Sequence, residues 1–179
     1  MFDFSLFQGY TLCVNDSFRR LPNANAVCSL DTRWISTRRH ELNQYPGEKF
    51  LCLRKGAEPY TIDNTEWMEI RSEPGLSLEW PIVHGRVTSG YVALNVAVLL
   101  GASRIALLGY DYNPQGGHWF QEYEWGASRG AQWQTWGAEF DTMIPQVESL
   151  GIEIVNFNPQ SSIAAFSKRP LSDLRRWYD

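Results

Sequence analysis

The stretch from Thr88 to Asp111 constrains the fold more than any other part of the chain. Thr88-Ser89-Gly90 leads into an almost wholly apolar run, YVALNVAVLL, closed by Gly101. Tyr91, Leu94, Val98 and the alanines between them give a helix an apolar surface. Ser89 is expected to cap that helix, which would run from Gly90 to about Leu100. Gly101 supplies the residue that most easily turns the chain out of a helix. Arg104 to Leu108 (RIALL) is then a buried strand, ending at Gly109-Tyr110-Asp111. Helix, tight turn and strand, with a polar residue at the strand's carboxyl end, is the repeating unit of an α/β protein.

The same grammar recurs elsewhere. Tyr10 to Val14, Ala26 to Leu30, Lys49 to Leu53 and Ile152 to Val155 are short apolar runs. Most end on a polar residue, as parallel strands covered on both faces do. Thr32 to Asn43 reads as a polar helix, and Pro46-Gly47 as a turn. Residues 56–82 read mostly as loop, with Glu66 to Arg71 a weakly alternating edge strand. Ala131 to Leu150 reads as a helix with Trp133, Trp136, Phe140, Ile144 and Val147 on one face, and Pro145 is expected to kink or split it. A short helix is expected near 171–177. The fold class is therefore α/β: a three-layer sandwich with a mostly parallel, Rossmann-like sheet, in a single domain over 1–179.

Composition narrows the function. Net charge is −4 and no basic tract occurs, so binding to nucleic acid through phosphate neutralisation is not expected. No apolar run reaches the ~18–20 residues that span a bilayer. The N-terminus lacks the basic and apolar regions of a secretion signal. Cys13, Cys28 and Cys52 each sit in a strand-like run and match no metal-ligand spacing, so they read as buried thiols. These features point to the cytoplasm and to no metal.

In open parallel sheets, ligands bind outside the carboxyl ends of the strands. That rule nominates Asn15-Asp16, Asp31 with Arg33-Trp34, Asp111 with Tyr112, and Asn156 to Asn158. Thr88-Ser89-Gly90 joins them, because a helix N-terminus with hydroxyls beside it suits a phosphate or carboxylate. Each has a plainer reading as a cap or a turn, Asp31 and Ser89 above all. Residues 113–129 (NPQGGHWFQEYEWGASR) form a long aromatic loop, and such loops are usually functional. His118 lies in it and is a candidate acid–base group. By themselves His40, His84 and His118 read more readily as surface residues.

Three blocks carry a resemblance: VNDSFRRLPNANAVCSLDTRW (14–34), TSGYVALNVAVLLGASRIALLGYDY (88–112) and GIEIVNFNPQSSIAAF (151–166). They resemble the sialyltransferase-like and MptE-like α/β family, in particular its uncharacterised bacteriophage and prophage members. The resemblance implies a nucleotide-binding fold: the sialyltransferases of this type use a cytidine-monophosphate sugar as donor, and the MptE-like enzymes transfer diphosphate from ATP to a pterin. An active chain is expected to be a metal-independent, glycosyltransferase-like transferase with a nucleotide-sugar donor of the cytidine-monophosphate type. By position, Asn15 and Asp31 would face the nucleotide or donor, with Asp16 and Arg33 as binding candidates beside them. Thr88, Ser89 and Gly90 would contact its phosphate or base. Asp111 and Tyr112 would shape the cleft, with His118 at its mouth; Asp111 is also a catalytic candidate, and Asn158 a binding candidate.

Two departures accompany the resemblance. The family's usual first strand and its GxGPSL loop precede the point where this chain starts. The second His expected in the aromatic loop is replaced by Glu122 or Tyr123, so that Glu122 becomes a candidate base. Two functions follow as expectations: a phage-related nucleotide-sugar transferase, or a non-catalytic virion or interaction protein that kept the fold. Without the first strand, a sheet edge would be open to a second copy of the chain, so a homo-oligomer is expected.

Overall fold

The computed structural model describes residues 9–54, 56–85, 88–113 and 130–179. The chain divides into two compact units: Met1–Glu73 with Ser77–Leu100, and Pro74–Leu76 with Gly101–Asp179. The first unit holds β1 (Leu12–Val14), β2 (Ala26–Ser29), α1 (Thr32–Gln44), β3 (Glu48–Arg54), β4 (Thr65–Arg71), β5 (Ile82–His84) and α2 (Ser89–Leu99). The second holds β6 (Arg104–Leu107), α3 (Gly130–Ala138), α4 (Ile144–Ser149), β7 (Glu153–Asn156), β8 (Ser167–Lys168) and α5 (Leu174–Tyr178).

In the first unit the five strands lie in chain order, β1-β2-β3-β4-β5, and every neighbouring pair is parallel. Successive residues of a strand point to opposite faces. Val27 and Leu51 therefore pack with Trp34, Ile35 and Leu42 of α1, together with Cys13, Phe18 and Tyr45. Ala26, Cys28, Phe50, Cys52, Met68 and Val83 pack with Val92, Ala93 and Val96 of α2. Helix, sheet and helix make the three layers of a Rossmann-like α/β fold. Both faces are covered, which is why β2 and the middle of β3 are apolar at consecutive positions. Truncating one fully buried residue such as Ile35 to Ala is expected to cost about 2–5 kcal/mol.

Three readings of the sequence change here. β4 is not an edge strand but lies between β3 and β5. Its alternation arises because Met68 alone is buried along it. A one-sided hydrophobic pattern reports what covers a strand's faces, not whether it has neighbours on both sides. β5 starts where the segment read as loop ends, and its three residues are too few to leave a periodic signal. Finally, Thr88, not Ser89, caps α2: its hydroxyl accepts from the Tyr91 N–H at 3.3 Å. Every residue from Ser89 to Val96 is buried.

In the second unit, β6, β7 and β8 form a separate parallel sheet. The helix expected over 131–150 is split into α3, a 3-10 turn over Glu139–Met143, and α4. Pro145 falls in the first turn of α4, where its missing N–H costs no helical bond. Gln146 of α4 holds Leu76 at both its N–H and its carbonyl, each at 2.7 Å. Gly75 beside it has φ +75 and faces the Gln146 side chain, so a Cβ fits there neither by conformation nor by space. Among the described residues no helix is long and apolar enough to cross a membrane.

Candidate functional site

All five strands of the first unit are parallel, so their carboxyl ends share one edge. The chain leaves β1 through a turn locked by Ser17. Its Oγ accepts from the Val14 N–H at 2.8 Å and donates to the Val14 carbonyl at 2.9 Å. This turn places Asn15 at φ +49, in the left-handed region that Asn tolerates better than most residues. The Asn15 Oδ1 is buried and has no hydrogen-bond partner among the described residues. Val14 is in register with Cys28, which places Asn15 beside the end of β2.

At that neighbouring end, the Leu30 N–H donates to Ser89 Oγ at 3.1 Å. Ser89 thus fastens the first turn of α2 to the carboxyl end of β2. The N–H groups of a helix's first turn need partners from outside the helix, and the helix dipole favours an anion there. Asn15, the Ser29–Asp31 corner and Thr88-Ser89-Gly90 therefore occupy one corner of the edge.

Other sequence candidates serve the fold. Asp16 is 5% exposed, accepts from Trp34 Nε1 and Arg38 Nε at 3.0 Å each, and lies 3.9 Å from Arg19. Its carboxylate ties the turn after β1 to α1. Asp31 caps α1, its Oδ1 accepting from the Arg33 and Trp34 N–H groups at 3.0 and 3.1 Å. Arg33 lies exposed in the first turn of that helix.

The remaining polar strand ends belong to the second unit, so the candidates are divided between two sheets instead of lining one. Asn156 is fully buried and donates to the Tyr110 carbonyl and to Ser161 Oγ, while its Oδ1 has no partner among the described residues. Asn158 donates from its side chain to Asp111 Oδ1. The Asp111 carbonyl accepts from the Ser162 N–H at 2.8 Å. Tyr112, at φ +48 and 9% exposed, packs edge-on against Trp133 and Phe140. Asp111, Tyr112 and Asn158 thus build the corner that joins the ends of β6 and β7. His118 and Glu122 lie outside the described residues.

One polar group escaped the sequence reading, and another was read there as a surface residue. Asn95, in the middle of apolar α2, is fully buried and accepts from both the Ser77 and His84 N–H groups at 2.9 Å. It also donates to the Ser77 carbonyl at 2.8 Å. A lone Asn in an apolar helix was the available signal, since a buried amide needs partners. His84 ends β5 with its side chain 15% exposed, and its Nε2 lies 3.3 Å from Glu73 Oε2. No group of three metal-ligating side chains occurs among the described residues.

Comparison with known protein families, curated proteins and solved structures finds no match for this chain.

Proposed function

We propose that the five-stranded unit binds a nucleotide, and that the chain is a glycosyltransferase-like transferase using a nucleotide sugar. The observation that carries the reading is Asn15. A buried side-chain oxygen without a partner is rare and costs about 1–3 kcal/mol in an empty protein. Here it lies on left-handed backbone, at the strand edge where α/β proteins bind ligands. A base or ribose donor group would satisfy it. The N-terminus of α2, fastened to the same corner by Ser89, would receive the phosphate. A leaving nucleotide gains negative charge as the glycosyl bond breaks, and helix N–H groups already in place stabilise such charge.

Calorimetry against cytidine, uridine and adenine nucleotides tests this. Cytidine monophosphate is expected to bind, and Asn15→Gly to weaken binding about tenfold, the loss of one hydrogen bond worth ~1.4 kcal/mol. Absence of binding by every nucleotide, with the circular dichroism of a folded chain, refutes the reading.

One observation favours a non-catalytic interaction protein instead. The carboxylates of Asp16, Asp31 and Asp111 are all engaged within the fold, while Leu78 and Trp80 stand 59% and 45% exposed. Failure of nucleotide binding, together with recovery of the protein in purified particles, would select that reading.

A further inference from the structure

The carboxyl edge of the five-stranded sheet holds a second buried polar atom without a hydrogen-bond partner among the described residues, the Nδ1 of His84. His84 ends β5 and is in register with Arg71, the last residue of β4. Its N–H is held by Asn95, the amide that also grips Ser77 at its N–H and carbonyl. Gly85 follows at φ +156, and a Cβ there would meet Val92 Cγ2 at 2.7 Å. The backbone on either side of the ring is therefore fixed against α2.

A carboxylate stands beside the ring. Glu73 Oε2 lies 3.3 Å from Nε2. The neighbouring Arg71 is paired at 3.0 Å with Glu69. A carboxylate at ion-pair distance from Nε2 favours the proton on that nitrogen, because two lone pairs would otherwise repel. In the neutral ring Nδ1 is then a bare acceptor. It is buried and has no hydrogen-bond partner among the described residues. A histidine with one nitrogen oriented by a carboxylate and the other unsatisfied is arranged as a proton acceptor.

We propose that Glu73 and His84 form a carboxylate–imidazole pair whose Nδ1 accepts the hydroxyl of a ligand bound at this edge. The pair extends the reading of the edge as a ligand site and applies to any hydroxyl-bearing ligand. In a glycosyl transfer that hydroxyl is the acceptor. Its O–H bond breaks and the proton passes to Nδ1, while its oxygen bonds to the anomeric carbon. The bond from that carbon to the phosphate oxygen breaks, and its electron pair leaves on the nucleotide. Glu73 carries the compensating charge beside the imidazolium.

The test uses the full chain and three readouts. Nitrogen-15 NMR, with His84 assigned through the His84→Gln variant, is expected to show Nε2–H and an unprotonated Nδ1. His84→Leu removes the unsatisfied acceptor, so the Tm of the empty protein is expected to rise by about 2–4 °C. With a cytidine-monophosphate sugar as probe, His84→Leu is expected to lower nucleotide release at least ~100-fold while nucleotide affinity stays within about threefold.

A proton on Nδ1, or a fall in Tm for His84→Leu, makes the pair structural and overturns the proposal. Nucleotide release within about threefold of the parent overturns it too. If the parent binds no nucleotide while the tautomer and the Tm rise are as expected, the nucleotide reading fails. The pair then stands as the acceptor for another hydroxyl-bearing ligand.

Discussion

Asp16 lies next to Asn15, yet the two are expected to answer mutation in different ways. The Asp16 carboxylate accepts one hydrogen bond from the Trp34 indole and one from the Arg38 guanidinium, both at 3.0 Å. Asp16→Asn keeps the shape and opens no cavity. It replaces one acceptor oxygen by an NH2 group, so one donor loses its partner and faces another donor. A lost hydrogen bond to a charged group is worth about 1.5–3 kcal/mol. Arg38 keeps Glu41 at 3.2 Å and is 23% exposed, which reduces the loss on that side. The expected cost is about 2 kcal/mol, toward the middle of that range. With a urea slope of ~2 kcal/mol/M, the midpoint falls by about 1 M. Urea denaturation followed by tryptophan fluorescence measures it, and calorimetry on the folded variant measures nucleotide affinity. Stability within about 0.5 kcal/mol of the parent would refute the structural role. So would intact stability accompanied by lost nucleotide binding, which would make Asp16 a ligand contact.

Ser89→Ala leaves the Leu30 N–H without its acceptor and is expected to cost about 1–2 kcal/mol in urea denaturation, whereas Thr88→Ala loses only a helix cap, about 1 kcal/mol. A costless Ser89→Ala would show that the α2 corner is not fastened as described. In the second unit, the Trp177 indole at 2.7 Å and Arg104 at 3.2 Å hold the Glu153 carboxyl below its ordinary pKa. A depressed carboxylate pKa contributes stability above the unfolded value and loses it as pH falls through the folded one. Glu153 is 46% exposed, so solvent screening limits the effect to under about 1 kcal/mol. The Tm advantage over Glu153→Gln should therefore be present at neutral pH and be lost as pH falls below the ordinary carboxylate range and through the lowered pKa of the folded state. An advantage that stays constant into acid would contradict that pairing.

Much of the fold was legible because burial writes itself into sequence at fixed periods. Ala26 to Cys28 is apolar at consecutive positions since α1 covers one face and α2 the other. Thr32 to Gln44 is polar apart from Trp34, Ile35 and Leu42, because only one side of α1 is buried. Pro145 announced the break between α3 and α4. By contrast, β5 and β8 are held by neighbouring strands and not by their own pattern, so nothing local marks them. The candidate site was legible only as a set of strand ends. Which of those ends are spent on the fold depends on partners far away in sequence: Trp34 and Arg38 for Asp16, and Asn158 for Asp111.

The chain by itself determined the alternation of strands and helices, the apolar faces and the polar residue closing most strands, all of which follow from local chemistry and period. Tertiary structure alone decided that the strands divide between two sheets and that β4 is interior. It also decided that Thr88 caps α2 while Ser89 reaches across to Leu30. Above all, it separated Asp16, whose oxygens are used up, from Asn15 and His84, each of which has a buried side-chain atom without a partner among the described residues. Hydrogen-bond satisfaction is a property of three-dimensional neighbours, and one-dimensional order does not contain it.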